Sequence, residues 1–144
     1  MSTVYEILDR KGAMVLSVER EESVFHAITL MAETNVGAVL VRNDKEICGI
    51  FTERDYLQKI ALQSRSSKDT RVAEVMTSPV ITAGPDESVE ECMQTMTRCR
   101  CRHLPVVDGD ELLGIVSIGD LVKRLLEDRE AEVEQLSHYI SGSY

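Results

Sequence analysis

Two short stretches of the chain carry the same chemistry at the same spacing. Gly49-Ile50-Phe51-Thr52-Glu53-Arg54-Asp55 and Gly114-Ile115-Val116-Ser117-Ile118-Gly119-Asp120 each run along an apolar strand to a hydroxyl, with an aspartate three positions later. At the start of a helix this spacing makes a capping box, in which hydroxyl and carboxylate each accept from the other residue's amide. The same geometry suits a nucleotide. A helix N-terminus presents amides and a positive dipole end to phosphate, and a carboxylate accepts two hydrogen bonds from a ribose diol. Either reading accounts for one copy; the recurrence at one place in a repeat favours binding.

The repeat is found by sliding the sequence against itself by 65 positions. Glu22-Ser23-Val24 then falls on Glu87-Ser88-Val89, Met31 on Met96, Val41 on Val106, Gly49-Ile50 on Gly114-Ile115 and Asp55 on Asp120, without a gap. Each copy reads β-α-β-β-α. A short apolar stretch ends in a hydroxyl (Val15-Leu16-Ser17, Val80-Ile81-Thr82), and a helix follows with Val24, Ala27, Ile28 and Met31, or Val89, Cys92, Met93 and Met96, on one face. Two strands flank a turn at Asn43-Asp44 or Asp108-Gly109. A second helix closes each unit, with Tyr56, Leu57 and Ile60, or Leu121, Val122, Leu125 and Leu126, as its apolar positions.

Outside the copies, 3–10 reads as a short amphipathic helix (Val4, Ile7, Leu8) stopped at Gly12, and 63–70 as a polar linker. Residues 127–140 continue or restart a helix whose Val133, Leu136 and Ile140 stripe has no cover within its own segment. The expected fold is α/β (α+β): two repeats packed about a pseudo-twofold axis, with flanking helices. The expected division is 1–71, holding the first repeat with the N-terminal helix and linker, and 72–144, holding the second repeat with the C-terminal helix. Such a pairing creates two related clefts between the halves.

Composition removes several function classes. Net charge is −9, whereas nucleic-acid binding needs a basic face to neutralise phosphates and anionic membranes repel an acidic chain. No apolar run approaches the ~20 residues that span a bilayer. The opening Met1-Ser2-Thr3-Val4-Tyr5-Glu6 resembles neither a signal nor a transit peptide. A cytoplasmic protein is expected, with Cys48, Cys92, Cys99 and Cys101 reduced.

The duplicated unit resembles the CBS domain, and the tandem copies look like a CBS pair, or Bateman module, over roughly residues 13 to 126. The likeness is carried by Ser17 and Thr82, by Arg102-His103-Leu104-Pro105-Val106, for which Gly37-Ala38-Val39-Leu40-Val41 is a less typical counterpart, and by the two Gly-x-x-(Thr/Ser)-x-x-Asp segments. Small stand-alone CBS-pair proteins are the nearest likeness, through Thr-Glu-Arg-Asp-Tyr, Ser-Ile-Gly-Asp-Leu and the tail Gln135-Leu136-Ser137-His138-Tyr139-Ile140. The resemblance implies that AMP, ADP, ATP, NAD(H) or a related adenosyl ligand binds in the clefts. One cleft then combines Thr82, Cys101, Arg102 and His103 with Thr52, Arg54 and Asp55; the other combines Ser17, Val36, Gly37 and Ala38 with Ser117 and Asp120. Arg54 and Arg102 make the first the stronger phosphate site. Gly119 and Gly37-Ala38 leave the second without cations, so it is expected to bind weakly or to take a nucleoside end.

Arg65, Lys68 and Arg71 form a basic run that reads as a solvated loop, with Arg65 and Lys68 the candidates for a distal phosphate of a longer ligand. Cys99-Arg100-Cys101-Arg102-His103 places possible metal ligands on a flat strand rather than a chelating turn, so no metal is expected. Cys101 beside the ligand opens a redox alternative. No nucleophile elbow, Walker loop or paired-carboxylate motif is present, so the expected role is a ligand-sensing regulator of another protein, not an enzyme. The alternative is a redox-linked or interaction scaffold with a thioredoxin-type partner. The resemblance implies dimeric discs, and the 133–140 stripe together with Val4, Ile7 and Leu8 offers apolar surface to a homodimer.

Overall fold

A computed structural model describes residues 2–12 and 15–141. The chain forms two compact units: Val15–Val80, built on the first repeat, and Met1–Met14 with Ile81–Tyr144, built on the second. Both mix helix and strand as the repeat requires.

In the Val15–Val80 unit, β1 (Ser17–Glu19) pairs parallel with β2 (Ala38–Asn43), which pairs antiparallel with β3 (Glu46–Thr52), in the order β1-β2-β3. α2 (Val24–Thr34) starts at Ser23, whose hydroxyl accepts from the His26 amide, and stops at Asn35 in the left-handed conformation. α3 (Glu53–Tyr56) runs into a wide π-helical turn, Leu57–Ala61. The 63–70 segment is no free linker, because carbonyls of Ser67 and Thr70 accept from the Phe25 and Val24 amides at the start of α2.

The other unit repeats this plan. α5 (Val89–Cys99) is capped by Ser88 and ends at left-handed Arg100, the position of Asn35 plus 65. β4 (His103–Asp108) and β5 (Glu111–Ser117) form an antiparallel hairpin. The pairing shifts between Val41 and Arg42 in one sheet and between Val106 and Val107 in the other, so even the bulge repeats at the same position. The leading strand expected at Val80-Ile81-Thr82 shrinks to one bridge, Ala83 with Val106. The ladder stops there because Gly84 gives its amide to Glu87 at 2.6 Å and Pro85 has none to give.

Each unit takes its leading segment from ahead of the other repeat. α1 (Val4–Lys11) lies in the second-repeat unit, and α4 (Val72–Val75) in the first-repeat unit. The sequence division at 71/72 had grouped α1 with the first repeat. The two segments dock alike. Val89 donates to Ser2 O and Val4 to Glu87 O, while Val24 donates to Thr70 O and Val72 to Glu22 O. Leu8 then covers Gly114, and Met76 covers Gly49; a Cβ on either glycine would collide with that side chain. Val4, Ile7 and Leu8 are consequently buried (0%, 7% and 5% exposed). They supply no surface to a second copy, contrary to the sequence expectation, because β5 needs them as cover.

α6 is one continuous helix, Ile118–Ser141. Leu121 is buried and Leu125 packs on the core, but Val122 and Leu126 are exposed, as are Val133, Leu136 and Ile140. No helix among the described residues is long and apolar enough to cross a membrane.

Candidate functional site

The two hydroxyl-x-x-aspartate segments sit where a strand hands over to a helix, β3 to α3 and β5 to α6. In the first, Thr52 Oγ1 accepts from the Asp55 amide at 3.1 Å and Asp55 Oδ2 accepts from the Thr52 amide at 3.0 Å. In the second, the Ser117–Asp120 distances are 3.2 and 2.8 Å. Both are complete capping boxes. The helix's first amide is satisfied as well: Glu53 donates to Gly37 O at 3.1 Å, and Ile118 to Arg102 O at 2.9 Å. The left-handed caps Asn35 and Arg100 turn the chain so that Gly37 and Arg102 present these carbonyls. Of the amides that were to receive phosphate, those of Arg54 and Gly119 take no partner among the described residues, and the caps occupy their neighbours.

The carboxylates differ. Asp55 is 6% exposed. Its Oδ2 also accepts from Thr52 Oγ1 at 3.2 Å, and its Oδ1 accepts from Thr77 Oγ1 at 3.0 Å and faces Lys59 Nζ at 3.0 Å. Asp120 has an ion pair with Lys11, Nζ to Oδ2 at 2.6 Å, while its Oδ1 takes no bond among the described residues. Burial alone would push the Asp120 carboxyl up, but bonds from Lys11 and Ser117 outweigh it and hold the group below the ordinary aspartate value. The second group is therefore not without cations. Lys11 stands on Asp120, and Arg42 Nε donates to Ser17 Oγ at 2.7 Å.

The remaining expected residues keep local places. Arg54 and Arg102 are exposed and pair with no described residue. Thr82 and Val36 are exposed, Cys101, His103 and Gly37 are half-buried, and Ala38 is buried. The basic run is engaged: Arg65 bonds Glu74 at 2.9 Å, Lys68 lies 5.0 Å from the Phe25 ring centre, and Arg71 bonds Glu21 at 2.8 Å. All four cysteines are free. Burial pushes the Cys92 thiol up to about 11, and burial together with Cys99 raises that of Cys101. Among the described residues no cluster of His, Cys, Asp and Glu is placed to hold a metal ion.

Four partners of these groups escape sequence reasoning. Lys59 stands one helical turn from Asp55 and was within reach of an i,i+4 reading. Thr77, Lys11 and Arg42 arrive through tertiary packing, which no local pattern announces.

The CBS domain family model matches twice, over residues 4–62 and 72–127. The chain belongs to the CBS domain family and carries a tandem pair of its repeats. It is 38% identical to the mitochondrial CBS domain-containing protein CBSX3 of Arabidopsis thaliana, over 99% of this chain and 74% of that protein. Among solved structures, a protein with CBS domains from Burkholderia ambifaria superposes with a TM-score of 0.85 at 49% identity, covering 88% of this chain and 96% of its own. The CBS pair of protein MJ0100, solved with 5′-methylthioadenosine and S-adenosyl-L-methionine, shares the fold: TM-score 0.75, 24% identity, 90% of this chain and 98% of that one.

Proposed function

We propose that this CBS pair is a regulatory module that binds an adenosyl ligand, such as AMP, ADP, ATP, NAD(H) or S-adenosylmethionine, and leaves it chemically unchanged. The observation that carries this reading is the duplicated cap, a buried or half-buried aspartate placed beside a strand-end hydroxyl in both units. The MJ0100 pair supports the ligand class only as a protein of the same fold.

In the stronger group, Asp55 is the ribose acceptor and Thr52 its support. Arg54 and Arg102 meet phosphate, with Thr82, Cys101 and His103 completing the set. This group ranks first because its two arginines are exposed and pair with no described residue, whereas Lys11 is spent on Asp120. The weaker group comprises Ser117, Asp120, Ser17, Val36, Gly37 and Ala38. Arg65 and Lys68 serve a longer ligand only by leaving Glu74 and Phe25. The module acts as a cytoplasmic homodimer on a protein partner, through differential affinity of the ligand for two states. The raised Cys101 thiol favours this reading over a redox scaffold, because reactive thiols are those of lowered pKa.

The test is a thermal melt with each ligand in turn, followed by chromatography of the ligand recovered. Binding at a hundredfold excess over Kd stabilises by about 2.7 kcal/mol. A raised Tm with at least one ligand and its intact recovery are expected. No shift with any of them, or conversion of the ligand, overturns the proposal.

A further inference from the structure

Beyond Asp128, every residue of α6 from Arg129 to Ser141 is exposed. A helical stretch this short is marginal in water without packing. Its apolar residues are ordered. Val122, Leu126, Val133, Leu136 and Ile140 follow one another at intervals of four, seven, three and four, which is heptad a/d spacing, and Arg129 takes the one d position left over. Their exposures run from 40% at Val122 to 76% at Ile140.

We infer that this seam packs antiparallel against α6 of a second copy. The inference rests on the homodimer reading and names its contact. A seam of period 3.5 matches a helix with the same period, and the second copy supplies one. The area suffices, since ten seam side chains at ~60–120 Å² each bring roughly the ~1,000 Å² at which specific interfaces begin.

Arg129 decides the direction. In a parallel pair both Arg129 side chains occupy one layer, with like charges facing across the seam. In an antiparallel pair a positions face d positions. Leu126 then meets Leu136 of the second copy, Val122 meets Ile140, and Arg129 faces Val133 with Glu130 and Glu132 of the other helix on either side. Within one chain Arg129 is already 3.9 Å from Glu132, so an acidic setting suits it.

The test uses the full chain at micromolar concentration. Sedimentation equilibrium is expected to give a dimer or a multiple of one, and Leu136→Glu to halve that mass without changing affinity for AMP or ATP; Leu136 is exposed, so the variant folds. Mixing Leu126→Cys chains with Leu136→Cys chains should give a disulfide between those two positions, mapped by tryptic mass spectrometry, and Leu136→Cys chains alone should give none there. A Leu136→Glu variant that keeps the parent mass overturns the α6 contact and leaves the homodimer reading standing. A monomeric parent overturns both. A disulfide joining two Leu136→Cys chains at residue 136 overturns the antiparallel direction.

Discussion

Lys11 Nζ lies 2.6 Å from Asp120 Oδ2 and 3.0 Å from the carbonyl of Ile115, so a cation from α1 closes the second hydroxyl-x-x-aspartate segment. The first segment is closed differently, by Thr77 and Lys59 on Asp55. In both units a residue outside the repeat body supplies the closure: Lys11 ends α1, and Thr77 follows α4 and pairs with Ile50. The leading segments therefore cover the sheets and also reach the candidate ligand groups, Lys11 with a charge and Thr77 with a hydroxyl.

The Lys11–Asp120 pair makes stability depend on acid. Because the folded carboxyl titrates below its unfolded value, the pair contributes fully above the ordinary aspartate pKa of about 3.9. That contribution is lost as pH falls through the lowered folded value. Lys11→Met is expected to cost under ~1 kcal/mol at neutral pH, as partly exposed pairs do. The Tm gap between variant and parent should close at acid pH; a gap unchanged down to pH ~2 contradicts the assignment.

The glycines under the leading segments are packing sites. Gly114→Ala puts a methyl 2.7 Å from Leu8 Cδ2, and Gly49→Ala drives one into Met76. Each is expected to destabilise by about 1–3 kcal/mol, the usual cost of overpacking. Gly109, where nothing lies within 4 Å of the added methyl, has φ +61°. Gly109→Asn there should be milder, since asparagine tolerates that backbone. Urea unfolding of the three variants ranks them.

Thiol labelling distinguishes regulator from redox scaffold. With its thiol pushed up to about 11, Cys92 should stay unmodified by iodoacetamide at pH 7.5 until the protein unfolds. Cys101 should react more slowly than a free cysteine. Rapid labelling or selective peroxide oxidation of native Cys101 would favour the redox reading.

The two aspartates should differ in structural weight. Asp55 is buried and accepts from two residues besides its cap, so Asp55→Ala leaves Thr77 without its acceptor and Lys59 with the Val75 carbonyl alone. A loss of about 1–3 kcal/mol is expected, against less than that for the more open Asp120→Ala. Equal losses in urea titration would contradict the account of Asp55 as a structural hub.

Much of this was legible because the repeat is gapless. The 65-residue offset carries Val24 to Val89, Phe51 to Val116 and Gly37 to Arg102, and each pair occupies the same place in its unit. The exchange of leading segments was hidden by arithmetic. Ser2-Thr3-Val4-Tyr5-Glu6-Ile7-Leu8 corresponds to Thr70-Arg71-Val72-Ala73-Glu74-Val75-Met76 at an offset of 68, so an ungapped comparison at 65 misses it. Which unit a leading segment joins is a tertiary choice that no local pattern records. For the same reason the second aspartate was expected to lack a cation, although Lys11 was in plain view in the sequence.

Calorimetric titration of the parent, Asp55→Ala and Asp120→Ala with AMP, ADP, ATP, NAD(H) and S-adenosylmethionine tests the central claim most directly, with each variant first shown to be folded. Saturable binding of at least one ligand is predicted, weakened more by Asp55→Ala than by Asp120→Ala. Binding by none of the five would contradict the account, and a larger loss from Asp120→Ala would reverse its ranking of the two groups.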